Sequence, residues 1–346
     1  MTKDMNFWKD KKVLITGGAG FIGSNLAERM LALGAKVLMV DNLERGSLDN
    51  LRSFLGQLEF RQQDLKNISV CQDVCRGIDV VFHLASKVGS MSYYLMRPAE
   101  VLSQTLLMDG NVLQAAKDTG VSHYFYASSS HVYPLELELT PDAPPLKEEQ
   151  AFPANPALSY GWAKLIAEKQ IEYAVAEGCN TSFAIGRIMG AYGKNQDISF
   201  DKGSSIPVFS RRAIEWSENN PFTILGTGKE TRSYCYIDDV IDAMLLCVEK
   251  LDDHKLIGPI NIGTDEKISI GNLAEEIIRI SGKNITPIYN ENHKTQVWGQ
   301  SVDASRAKEI LDGWYCKTSL QDGLSHAYRY VQEKLSHLKT NKNNNA

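Results

Sequence analysis

Tyr160 and Lys164 stand four apart in Ser159-Tyr160-Gly161-Trp162-Ala163-Lys164, a spacing that on a helix puts both side chains on one face, one turn apart. An ammonium beside a phenol favours the phenolate, so the pair can serve as a base near neutral pH. Ser129, inside the Ser128-Ser129-Ser130 run, adds a donor that could support charge developing on an oxygen. The plainer reading of Ser129 is a strand-end serine that satisfies backbone groups. Taken together, the three residues suit removal of a hydride from a carbinol carbon. The spacing alone is weak evidence, because a half-buried tyrosine with a solvated lysine gives the same pattern.

A hydride needs an acceptor, and the N-terminus offers a place for one. Gly17-Gly18-Ala19-Gly20-Phe21-Ile22-Gly23 follows a predicted strand and opens a predicted helix. That context lets backbone amides and a helix N-terminus approach a pyrophosphate. Gly17, Gly20, Phe21, Ile22 and Gly23 are therefore candidate dinucleotide contacts. Asp41, with Asn42 beside it, ends the next strand, where a carboxylate accepts from ribose hydroxyls and repels a 2'-phosphate. This selects NAD over NADP, with Arg45 as the one nearby residue that argues otherwise. Asp64 and Leu65 follow the third strand and would border the adenine, or Asp64 is a simple turn or helix cap. Leu84, Ala85 and Ser86 follow the fourth strand and would pass the cofactor.

These residues need strands and helices to bring them together. Short β-branched runs at Val13–Thr16, Lys36–Val40, Leu58–Phe60, Asp79–Leu84, Tyr124–Ala127 and Thr181–Ile185 alternate with helix-length amphipathic stretches, the first from Phe21. The pattern predicts an α/β fold: a doubly wound parallel sheet of Rossmann type with a smaller mixed α/β substrate-binding domain. The expected division assigns residues 1–187 to the NAD-binding domain, with a return segment at about 234–265 that includes Pro259-Ile260-Asn261-Ile262. Residues 188–233 and 266–336 form the substrate domain, and 337–346 a disordered tail. The stretch from Pro134 to Pro156, with six prolines, reads as a surface loop too polar for the core.

Composition narrows the function classes. The chain has 346 residues, 43% hydrophobic and 23% charged, with a formal net charge of -5. That balance offers no electrostatic footprint for nucleic acid or an anionic membrane. No signal-peptide core or membrane-length apolar run is present, so a cytoplasmic enzyme is expected. The six cysteines lack Cys-x-x-Cys pairs or a histidine at ligand spacing, so neither a metal nor a disulfide is expected.

With the glycine segment, Ser129, Tyr160 and Lys164 in hand, the chain resembles the extended short-chain dehydrogenase/reductase family, in particular its NAD-dependent nucleotide-sugar epimerases and dehydratases. Further motifs carry the likeness over roughly residues 11–330: Tyr192-Gly193, Gly226-Thr227-Gly228, the run from Arg232 to Val240, Asn261-Ile262-Gly263 and Asp303 to Ala307. The resemblance implies Ser129, Tyr160 and Lys164 as the catalytic set, with Tyr160 and Lys164 also contacting the cofactor. It places Arg232 on the diphosphate of a sugar nucleotide, a task that suits a planar guanidinium, where a surface ion pair is the alternative. Arg306 and Ser130 join the substrate contacts. The loop holding Lys87, Gly89, Ser90 and Met91 is similar to the substrate loop of GDP-mannose 3,5-epimerase and GDP-fucose synthase, which leans the nucleotide toward GDP. A homodimer through two helices near 101–117 and 158–177 is implied as well.

The position that separates the candidates is His131. The resembling dehydratases and decarboxylases have an acidic residue there, and the two GDP-sugar enzymes a cysteine. Imidazole suits a two-way proton shuttle, so His131 is expected to act at C3 or C5 of a transient 4-keto sugar; the alternative is a hydrogen bond to the sugar or to the loop. Gly190 and Thr105 stand where the family usually has asparagine. No second proton-handling residue emerges: the corresponding places fall near Ser205 or Lys202 and near Asn195. A nucleotide-sugar 4-epimerase is the competing reading, with a 4,6-dehydratase or decarboxylase behind it and a non-catalytic dinucleotide-binding scaffold last.

Overall fold

The computed structural model describes residues 7–89, 91–292 and 295–344. Its strands in chain order begin with β1 (Lys12–Thr16), β2 (Lys36–Asp41), β3 (Glu59–Gln62), β4 (Val80–His83), β5 (His123–Ser129) and β6 (Ser182–Ile188). Short strands follow: β7 (Ala191–Tyr192), β8 (Thr223–Leu225), β9 (Thr231–Ser233) and β10 (Cys235–Tyr236). The last are β11 (Leu256–Ile262), β12 (Lys267–Ser269), β13 (Ile288–Asn290) and β14 (Gly299–Gln300). The helices are α1 (Phe21–Ala32), α2 (Ile68–Cys75), α3 (Met91–Met96), α4 (Pro98–Thr119) and α5 (Ser159–Ala176). They continue with α6 (Ser205–Glu215), α7 (Ile237–Glu249), α8 (Ile270–Ser281), α9 (Ser305–Ile310) and α10 (Leu320–Asn344).

The main sheet runs β11-β6-β5-β4-β1-β2-β3, every neighbouring pair parallel. Its inner strands are apolar on both faces because helices cover both, while the edge strand β3 is polar and partly exposed. Val13 and Ile15 point into one layer with Leu26 and Met30 of α1 and Val240 and Met244 of α7. Leu14, between them, points into the other with Val112 of α4 and Ala167 and Ile171 of α5. Strand order reverses between β1 and β4, and the crevice beyond their carboxyl ends is where a doubly wound sheet holds a ligand. Gly17 leaves β1 and Leu84 leaves β4 at that crevice. A second body of α6, α8 and α10 packs around Phe209, Phe222, Leu273 and Leu324, and β9 lies between β12 and β14.

Two expectations are corrected. The stretch from Pro134 to Pro156 is folded into the protein: Leu146 and Ala151 pack with Tyr133 and Val302, and Glu138 and Glu148 are buried. Its carboxylates escaped a polarity argument because they are paired inside, Glu138 by Gln300 and Glu148 by the amide of Asn261. Helix α10 also continues to Asn344, into the segment expected to be disordered, with Ser336 and Thr340 hydroxyls bonding to carbonyls one turn back. Among the described residues no helix is long and apolar enough to cross a membrane.

Candidate active site

Ser129 is the last residue of β5, and the chain turns at once through a short 3-10 turn at Ser130–Val132. The Ser129 hydroxyl accepts the His131 amide at 3.2 Å and fixes that turn. Gly161, in the first turn of α5, lets the helix press on it, because a Cβ there would collide with the His131 carbonyl oxygen. The consequence is a tight ring cluster. The His131 imidazole meets Tyr160 edge-on, centroids 6.0 Å apart and planes at 74°, and Tyr94 of α3 stacks on Tyr160 at 5.3 Å and 24°. One turn along α5, Lys164 Nζ lies 5.8 Å from the Tyr160 ring centre and 4.6 Å from that of Tyr126. The structure thus brings Ser129, His131, Tyr160 and Lys164 together.

The electrostatics differ from the simple expectation that Lys164 makes Tyr160 a phenolate. Burial, and after it the charge of Asp109, push the phenol above its ordinary range. Ser86 and Ser129 flank it and favour ionisation without cancelling that rise, and Ser86 Oγ closes no hydrogen bond of good geometry. His131 moves the other way: burial, then the nearby Arg232 charge, hold its pKa at about 4. It is a neutral imidazole at neutral pH, ready to accept a proton.

The dinucleotide candidates form a backbone-lined cradle. A Cβ on Gly17, whose φ is +65°, would sit 2.9 Å from the Ala85 amide nitrogen, and one on Gly23 would strike the Gly17 carbonyl. Helix α1 begins at Phe21 and Ile22 behind Gly20 with no side-chain cap and no acidic residue in its first turn, leaving its amides for an anion. Asp41 accepts the amides of Ala19 at 3.0 Å and Leu43 at 2.8 Å, with lone pairs to spare. Arg45 donates to the Lys202 carbonyl at 2.8 Å. The cradle, Asp41 and the orphaned Ser86 hydroxyl fit NAD. Asn42 is exposed and accepts the Glu44 amide at 3.0 Å. Asp64 takes the turn role, accepting the Lys66 amide at 2.9 Å and pairing with its ammonium at 3.3 Å, while Leu65 is buried.

The substrate candidates are less uniformly placed. Lys87 Nζ is tied to Glu44 and lies 3.4 Å from Glu100. A Cβ on Gly89 would collide with the Tyr93 ring. Ser90 lies outside the described residues, and of Met91 only the backbone, at the start of α3, is described. Ser130 is buried in the turn. The Arg232 guanidinium donates to the carbonyls of Thr231 at 2.7 Å and Val297 at 2.9 Å. Arg306 is exposed on α9, with Glu148 as its charge neighbour. Gly190 is glycine for a backbone reason: its φ is +56° and any Cβ would strike the Ser233 carbonyl.

Sequence reasoning did not single out Tyr94, Asp109, Tyr126 or Glu138. Glu138 is buried, accepts Gln300 Nε2 at 2.6 Å, and is raised by burial to about 7. Asp109 left a readable signal: it sits on the face of α4 that also carries Met108, Val112 and Leu113, all buried.

Comparison with known proteins agrees with this geometry. Residues 13–263 match the NAD dependent epimerase/dehydratase family. GDP-mannose 3,5-epimerase 1 of Oryza sativa subsp. japonica is 30% identical over 96% of this chain and 85% of its own length. UDP-glucuronic acid decarboxylase 1 of Arabidopsis thaliana is 28% identical over 91% of this chain and 68% of its own. Among solved structures, the UDP-glucose 4-epimerase of Thermotoga maritima superposes with a TM-score of 0.82 at 26% identity, covering 94% of this chain and 99% of that one.

Proposed function

We propose a function from the premise that this chain belongs to the NAD dependent epimerase/dehydratase family: it is an NAD-dependent nucleotide-sugar epimerase that works through a transient 4-keto sugar, with His131 moving a proton at C3 or C5. The observation that carries the last clause is the neutral His131 ring set edge-on to Tyr160. Gly17–Gly23 and Asp41 would hold NAD, which when bound would supply an acceptor and later donor for the C4 hydride.

The protein's own groups do the rest. Tyr160 takes the C4 hydroxyl proton and later returns it, and Lys164 supplies positive charge beside the phenol. Ser129 donates toward the C4 oxygen while its charge changes. A ketone at C4 makes the hydrogens on C3 and C5 acidic, and His131 removes and restores one of them. Arg232 is assigned to the diphosphate, for which it would exchange its carbonyl partners. The loop from Lys87 and the likeness to the rice enzyme support GDP as the nucleotide. We divide the labour between the sheet domain, which holds NAD, and the α6, α8 and α10 body, which holds the nucleotide.

A 4-epimerase is the second reading, supported by the Thermotoga superposition and by the fact that it needs only Ser129, Tyr160 and Lys164. The test is turnover of a GDP-, UDP-, CDP- and dTDP-sugar panel with proton NMR of the product. An epimer at C3 or C5 with no net NADH is the expected result; a 4-keto-6-deoxy sugar or a pentose would overturn the assignment.

A further inference from the structure

Beneath the catalytic helix lies a buried polar chain that the mechanism above does not use. Tyr126 donates to Asp109 Oδ2 at 2.6 Å, and His83 Nε2 lies 2.9 Å from Oδ1 of the same carboxylate. His83 Nδ1 in turn lies 2.7 Å from Thr16 Oγ1, which accepts the amides of Leu84 and Ala85 at 3.1 and 3.2 Å. The chain is consistent with one tautomer, a neutral His83 that donates from Nε2 and accepts at Nδ1. It connects the end of β1 and the end of β4, where the glycine cradle is, to the floor under Lys164.

Charge accounting decides what Asp109 is for. Asp109 and Lys164 are 2% and 1% exposed, so neither charge has water to lean on. The other carboxylate near Lys164 is Glu168, and it is already matched: Arg187 grips it at 2.7 and 3.0 Å. The groups that donate to Asp109, His83 and Tyr126, are neutral, since burial lowers the first and raises the second. That leaves Asp109 and Lys164 as the two uncompensated charges, Lys164 over the face of the Tyr126 ring and Asp109 at its hydroxyl.

We propose that Asp109 is the counter-ion that keeps Lys164 an ammonium beside Tyr160, with Tyr126 in contact with both, and is therefore a positioning residue for the hydride-transfer base. The titratable groups facing the pair are His83 on β4, Tyr124 and Tyr126 on β5, Tyr160 and Glu168 on α5 and Arg187 on β6, with Cys71 and Cys75 of α2 behind Tyr124. Burial alone would raise Asp109, but the Lys164 charge and its hydrogen bonds outweigh burial and leave the carboxyl below its usual range.

The inference rests on the reading of Tyr160 and Lys164 as the hydride-transfer pair, and two measurements separate its failure from the failure of that reading. The first is a stability cycle that needs no turnover. Asp109→Asn strands a buried ammonium and lowers the melting temperature, whereas Asp109→Asn with Lys164→Met removes both charges and recovers most of the loss. Additive losses would overturn the proposal. The second follows the Lys164 ammonium itself by NMR of lysine-labelled protein, its signal identified by its absence in Lys164→Met. Asp109→Asn should move the Lys164 titration to lower pH by about one unit, and Tyr126→Phe, which keeps the carboxylate, should leave it near the parent value. Titration of Lys164 at the same or higher pH in a folded Asp109→Asn protein would contradict it.

Discussion

At the scale of single residues, the account turns on His131 being neutral. Burial and the Arg232 charge lower its pKa from 6.5 to about 4, so the base form persists well into acid. We expect the acid limb of kcat/KM to fall near pH 4; a limb near 6.5 would mean a solvated imidazole. The same shift acts on stability. Between pH 6.5 and about 4 the unfolded chain takes up a proton that folded His131 refuses, so stability declines across that window and His131→Asn flattens the decline. His131→Asn should also cost roughly 10²- to 10⁴-fold in turnover while NAD affinity, read by fluorescence titration, stays unchanged. The residue types of Ser129, Tyr160 and Lys164 were legible because their relation is local or sits at a strand end. Tyr94 was not, because it meets the site across a sequence separation that only the packed fold closes; Tyr126, shortly before Ser129 on β5, reads as an ordinary buried strand residue, and Asp109 shows only as a polar residue on the buried face of α4.

At the scale of elements, the site is set by how closely α5 approaches the turn after β5. Gly161→Ala would put a Cβ into the His131 carbonyl and push the turn away from the helix. The expected outcome is a lowered kcat with NAD binding retained, because the cradle at Gly17–Gly23 belongs to different elements. Equal loss of NAD binding would show that the turn and the cradle are not separable. The strands were legible from their apolar runs, and β5 and β6 differ from the sequence reading mainly by extending further, which is how Ser129 comes to end a strand. The loop from Pro134 to Pro156 was misread because composition cannot say that Glu138 and Glu148 have partners inside. Gly190 was read as a departure from a motif, while the backbone explains it through a left-handed φ and the Ser233 carbonyl.

At the scale of the whole molecule, helix α5 works on two sides. Lys164 and Tyr160 face Tyr126 and His131, while Trp162, Ile166 and Tyr173 are exposed on its other side, and Leu107 of the neighbouring α4 is exposed as well. We propose that this apolar stripe pairs with a second copy, which would stiffen the helix that carries the catalytic pair. Sedimentation should then show a dimer that Ile166→Glu with Tyr173→Glu converts to monomer; an unchanged dimer would move the interface elsewhere. The sheet and its switch point were predictable because alternating strands and helices admit few topologies. The nucleotide site that we propose for the α6, α8 and α10 body was not, since its shape would depend on short strands such as β9 and β14 that leave little trace in sequence.

The central claim is that a proton at C3 or C5 exchanges while the sugar is a 4-ketone and that His131 carries it. Turnover of a competent GDP-sugar in deuterium oxide, followed by NMR of recovered sugar, tests this directly. The account predicts deuterium at C3 or C5, protium retained at C4, and loss of the label in His131→Asn. Full epimerisation with no deuterium at either carbon would contradict it.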